Sequence, residues 1–158
     1  MVGMTSREQL PDAALTAFAS VGYLALLVAG LGLASLVTDS DVIETQGVGV
    51  VPAYVAAGVA IVAFALFVLG SVARDRPSYV SAVGAALVAA VAHLLTLAVA
   101  SLLGSGDLGV AIGVVGEVLI GWVTPVVALA ALVAAWAAIA VRRTKASRPR
   151  WPWEHDEE

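Results

Sequence analysis

Residues 79–103 read YVSAVGAALVAAVAHLLTLAVASLL. The stretch contains no Asp, Glu, Lys or Arg, and it holds His93, one of two histidines in the chain. A hydrocarbon core of about 30 Å takes about 20 helical residues, so this segment is long enough to cross a bilayer. At about 100° per residue, Ala82, Ala85, Ala89, Ala92, His93, Thr96 and Ala100 share one face. Val80, Leu87, Val91, Leu94 and Leu102 lie around the other. In lipid, apolar side chains gain little by leaving the tails for one another. Small residues let helices approach, and polar ones turn inward to find partners. The alanine face with His93 and Thr96 is therefore predicted to be buried.

The rest of the chain repeats this pattern. Of 158 residues, 61% are hydrophobic and 13% charged, well away from the soluble norm of roughly half and a quarter. Three further blocks lack any acid or base: Ala13 to Thr38, Thr45 to Ala73 and Val118 to Val141. A soluble bundle needs a charged stripe on every helix, and none is present. Membrane β-strands alternate polar and apolar residues, which VAAGVAIVAFALFVLG (55–70) does not. The fold class expected is an all-α integral membrane protein. Four transmembrane helices, at about 13–37, 50–72, 79–103 and 118–141, form an antiparallel up-down bundle over residues 13–141.

Residues 1–12 form a short leader, and 142–158 a charged tail. The charges of the leader nearly cancel, whereas a signal peptide has a positive leader and a shorter apolar core. Cleavage is not expected. The tail is basic through Arg142, Arg143, Lys145, Arg148 and Arg150, then acidic through Glu154, Asp156, Glu157 and Glu158. Trp151 and Trp153 beside its arginines suit contact with anionic headgroups. Residues 108–117 are apolar and rich in glycine. They extend span four outward or form an interfacial piece, and the pattern alone does not choose.

Orientation follows from the bases. All eight Lys and Arg residues lie in the leader, in the second loop (Arg74, Arg76) or in the tail. Short loops rich in Lys and Arg stay cytoplasmic. Both termini are therefore expected on the cytoplasmic side of the cell membrane. An even number of spans also demands termini on one side.

Three groups of residues stand out. Tyr23, His93, Thr96 and Thr124 are polar residues on the small faces of spans one, three and four. Polar groups in hydrocarbon need partners, so they are predicted to converge in the interior. An ionisable residue in a span is a functional hypothesis, yet a neutral imidazole bonded to Thr96 or a carbonyl is an equally simple structural account. Asp39, Asp41, Glu44, Asp107 and Glu117 gather in the base-free loops, as an outer acidic mouth. Glu117 also reads as a cap on the start of span four, where a carboxylate is stabilised. Gly121, Thr124, Ala128, Ala131, Ala135 and Ala138 form a seam at 3,4 spacing, predicted to pack against another helix. Trp122, Val126, Leu129, Val133 and Trp136 are predicted to face lipid. Pro125 is expected to kink that span.

The chain has no cysteine, which removes disulfides and thiolate chemistry. It has no serine elbow, phosphate-binding glycine loop, HExxH or paired intramembrane carboxylate. No enzymatic activity, cofactor, metal or nucleic acid is expected. The expected partners are the lipid bilayer and another membrane protein or a second copy. The leading function expected is a structural or accessory membrane subunit acting through helix packing. The alternative is a small transporter or channel-like protein using the polar cluster around His93.

Overall fold

The computed structural model describes residues 11–40, 50–74 and 78–146. They form five helices: α1 (Asp12–Thr38), α2 (Val51–Val72), α3 (Val80–Ser105), α4 (Leu108–Ile120) and α5 (Val123–Ala146). All but α4 are long and apolar enough to cross a membrane. The leader up to residue 10, loop residues 41–49 and 75–77, and the tail from 147 lie outside the described residues.

Local chemistry sets the helix ends. Pro11 precedes α1 and Asp12 opens its first turn, a proline and an acid placed where a helix start tolerates both. Asp39 ends α1 in the left-handed region (φ 50°), and its N–H donates to the Ser35 carbonyl. Asp is among the few non-glycine residues that adopt this conformation readily. Pro52 falls in the first turn of α2, where its missing N–H costs no hydrogen bond. Gly106 ends α3 at φ 68°. Asp107 then opens α4, its Oδ1 accepting from Gly109 N at 2.7 Å and Val110 N at 3.3 Å.

The expected continuous span over 118–141 does not form. It is broken at Gly121 and Trp122, between α4 and α5. Pro125 explains the position. A proline ring clashes with the carbonyl four residues back, which here is Gly121. Gly121 leaves the helix in an extended conformation (ψ −172°). A Cβ at this position would lie 2.8 Å from the Glu117 carbonyl oxygen, so the break needs glycine. Thr124 Oγ1 donates to the Val118 carbonyl at 2.7 Å, satisfying an acceptor left without a helical partner. The fourth long helix therefore starts at Val123. Residues 108–120 are a separate helix of about 20 Å, short of the roughly 30 Å core.

Contacts at both ends fix how the helices lie. Asp12 Oδ1 pairs with Arg142 at 2.8 Å, while beyond the far end of α1 Trp122 Nε1 donates to Ser40 Oγ at 2.9 Å. Helices α1 and α5 thus run in opposite directions. The Phe67 ring of α2 covers Gly84 of α3, an atom of it 2.6 Å from where a Cβ would be. Helix α1 packs on α2 and α5, and α3 packs on α2, α4 and α5. No Cα of α1 comes within 8 Å of α3, so these two helices face each other across the long diagonal.

The core is built largely of alanine. Ala56, Ala60, Ala82, Ala85, Ala89, Ala131 and Ala135 are buried among Tyr23, Phe64, Leu97, Val127 and Ile139. Small side chains bring the backbones together, which is how apolar helices gain van der Waals contact in lipid. The perimeter is apolar as well, with Phe18, Leu36, Leu66, Leu87, Leu103 and Ile120 exposed.

Candidate functional site

Tyr23 is carried on the one buried stripe of α1, with Leu15, Thr16, Ala19 and Leu27. It is 0% exposed, and its ring lies 4.7 Å from that of Phe64 on α2. His93 lies on the face of α3 that holds Ala82, Ala85, Ala89, Leu97 and Ser101. It is 4% exposed, and its imidazole meets the backbone of Ala56 on α2. Neither Tyr23 Oη nor His93 Nδ1 has a hydrogen-bond partner among the described residues. Leaving a buried polar group unpaired is costly, most of all in hydrocarbon.

Among the described residues no hydrogen bond joins the four polar residues. Tyr23 and His93 sit on α1 and α3, whose Cα atoms stay more than 8 Å apart. They also meet α2 two turns apart, at Phe64 and Ala56, about 12 Å along that helix. Thr96 is half-buried, one turn on from His93. Thr124 is half-buried, and its hydroxyl is engaged at the α4–α5 break. Two further buried hydroxyls, Thr16 Oγ1 and Ser101 Oγ, also lack partners. Ser101 follows His93 by two turns on the same face, a periodicity that could have been read in advance. These two hydroxyls differ from Tyr23 and His93 in reach. Ser20, Ser71 and Ser105 each donate to the carbonyl four residues back, and a change of rotamer offers Thr16 and Ser101 the same bond. A tyrosine hydroxyl or an imidazole cannot reach its own turn in that way.

Among the described residues the acidic positions of the expected mouth fall at helix ends. Asp39 is exposed and caps the end of α1. Asp107 is engaged as the N-cap of α4. Glu117 lies in the last turn of α4, not at a helix start as expected, because the break moves the start of the next helix to Val123. The described residues hold no group of three His, Asp or Glu placed to bind a metal. Asp41 and Glu44 fall outside the described residues.

The seam is buried over most of its length. Ala131, Ala135 and Ala138 are in the core, while Gly121 and Ala128 are half-buried. On the opposite side Leu129, Val133 and Trp136 are exposed, as their positions predict. Trp122 and Val126 differ. Trp122 precedes α5 and turns in to Ser40, and Val126 fits against Gly30, its Cγ1 2.8 Å from where a Cβ there would be. Trp122 lies in the break itself, outside α5, whereas Val126 belongs to α5 and is half-buried where α1 meets that helix.

At the other end of α5 three side chains form a column the sequence pattern did not single out. The Arg143 guanidinium lies over the Tyr79 ring, 4.6 Å from its centroid. Trp136 lies 6.4 Å from the same ring. A spacing of seven residues, two helical turns, would have placed Trp136 and Arg143 on one face.

No curated protein and no solved structure matches this chain. Over residues 4–158 it matches a family whose description is Family of unknown function (DUF6121), and with nearly its whole length covered the chain belongs to that family.

Proposed function

We propose that this protein is a structural or accessory subunit of the cell membrane, acting through helix packing and without enzymatic activity. The observation that carries the reading is the thin cover on α1. Its fully buried residues end at Leu27, and the remaining turns touch the bundle through the half-buried Leu31, through Gly30 at Val126 and through the Ser40 bond to Trp122. On its outer side Gly22, Ala25, Ala29 and Gly32 share a face. Ala25, Ala29 and Gly32 are exposed, and open space surrounds both glycines. Such a strip lets a further helix approach closely. The occupant is a helix of another membrane protein or of a second copy. The partition of bases supports placing both termini on the cytoplasmic side, with the Arg142 end of the bundle facing inward.

Co-purification in a mild detergent tests this. A partner identified with the wild-type chain should be lost from Gly32→Leu, which fills the strip without touching the core. A chain that stays monomeric and alone in native membranes sinks the proposal.

One observation favours a second reading, a small transporter or channel-like protein. Tyr23 Oη and His93 Nδ1 are buried and unpaired, and an intramembrane histidine with unused capacity suits transient bonds to a polar solute or proton. Flux through the purified chain in liposomes, lost in His93→Ala, would establish it. Liposomes as tight as protein-free ones would remove it.

A further inference from the structure

We propose that the column Arg143–Tyr79–Trp136 is a binding site for an anionic phospholipid, with the headgroup phosphate on Arg143 and the acyl end along Tyr79 and Trp136. The column lies at the Arg142 end of the bundle. Tyr79 stands at the head of α3, beside the last turns of α5. Its ring is held between the Arg143 guanidinium at 4.6 Å and the Trp136 ring at 6.4 Å. Both rings are open to the outside, Tyr79 42% exposed and Trp136 54% exposed. The order matters. Arg143 lies two turns, about 10 Å, nearer the end of the span than Trp136. The column therefore runs from cation to amphipathic ring to apolar ring, in the order in which a phospholipid runs from phosphate to glycerol to chain.

The chemistry of each member fits that ligand. Cation–π contact with Tyr79 restrains a side chain that is otherwise long and mobile. A guanidinium has planar donors suited to phosphate oxygens, and an ordered one loses less freedom when it binds. Tyrosine and tryptophan favour the level of the headgroups. Among the described residues Arg143 is the base that lies over an aromatic ring, and Arg74, exposed beyond α2, serves as the comparison.

The test uses the purified full chain in mild detergent, with thermal unfolding followed as lipid is added. Phosphatidylglycerol is expected to raise the midpoint in proportion to the logarithm of its concentration, whereas phosphatidylcholine and inorganic phosphate leave it unchanged. Arg143→Gln is expected to weaken apparent affinity for phosphatidylglycerol about tenfold, the scale of one charge-assisted hydrogen bond. Trp136→Leu keeps the charge and is expected to weaken it several-fold. Arg74→Gln is expected to leave it unchanged. An equal response to phosphatidylcholine, or to inorganic phosphate, overturns the proposal. So does an unchanged affinity in Arg143→Gln or Trp136→Leu, or an equal loss in Arg74→Gln, which would mean diffuse attraction to a basic surface.

Discussion

Replacing Tyr23 with Phe removes one oxygen from the middle of the bundle and leaves the ring where it is. That oxygen is fully buried and has no hydrogen-bond partner among the described residues. A buried hydroxyl in this state costs about 1–3 kcal/mol. The ring keeps its contact with Phe64, at 4.7 Å between centroids, so the substitution opens no cavity. Tyr23→Phe is therefore expected to stabilise the fold by about 1 kcal/mol and at most about 3. The low end applies if the separated α1 also holds the hydroxyl in hydrocarbon, since the penalty is then present on both sides of the equilibrium. Tyr23→Ala supplies the scale in the opposite direction. It deletes the ring as well, a loss of about 3–5 kcal/mol for large aromatic residues in cores. Reversible unfolding in mixed micelles measures both. A loss of 1 kcal/mol or more in Tyr23→Phe would refute the reasoning, because it would mean that the hydroxyl holds a partner in the folded protein. That result would also move weight from the packing function to the transport reading.

Other perturbations address different links in the argument. Ala131→Leu and Ala135→Leu overfill a buried helix contact and are expected to cost about 1–3 kcal/mol each, while Val133→Leu on the exposed side should change little; equal effects on unfolding would place the seam against lipid. Gly121→Ala puts a Cβ 2.8 Å from the Glu117 carbonyl oxygen, and should lower stability by roughly 1–3 kcal/mol unless the α4–α5 break relaxes, as unchanged stability in the same unfolding assay would reveal. Asp107→Ala removes the acceptor for Gly109 N and Val110 N, with an expected loss of about 1 kcal/mol, and amide exchange at the head of α4 should rise with it. Topology reporters should read outside at Gly47 and Asp107 and inside at Asp75 and Glu158; an inside signal at Gly47 would reverse the proposed orientation.

Much of the fold was legible because a bilayer asks so little of a sequence. Long uncharged blocks have one structural outcome in lipid, where every backbone polar group must be bonded within its own segment. That constraint made α1, α2 and α3 readable close to their observed ends, and the face of each helix followed from small and polar residues at helical spacing. The buried positions of Tyr23 and His93 were accessible in the same way, because each is fixed by its own helix.

What the sequence alone could not decide lies between helices. Pro125 announced a disturbance, but a kink and a full break differ only in whether other groups satisfy the freed backbone. That depended on Thr124 reaching the Val118 carbonyl. The break then freed Trp122 to turn inward and moved Glu117 from a helix start to a helix end. The neighbours of each helix were likewise beyond a wheel. A wheel says that Tyr23 and His93 point inward, yet only the packing order puts α1 and α3 across the long diagonal, their Cα atoms more than 8 Å apart. Periodicity is a property of one helix and is written in its residues. Adjacency is a property of pairs, settled by which small faces fit together, and alanine offers nearly the same face to every neighbour.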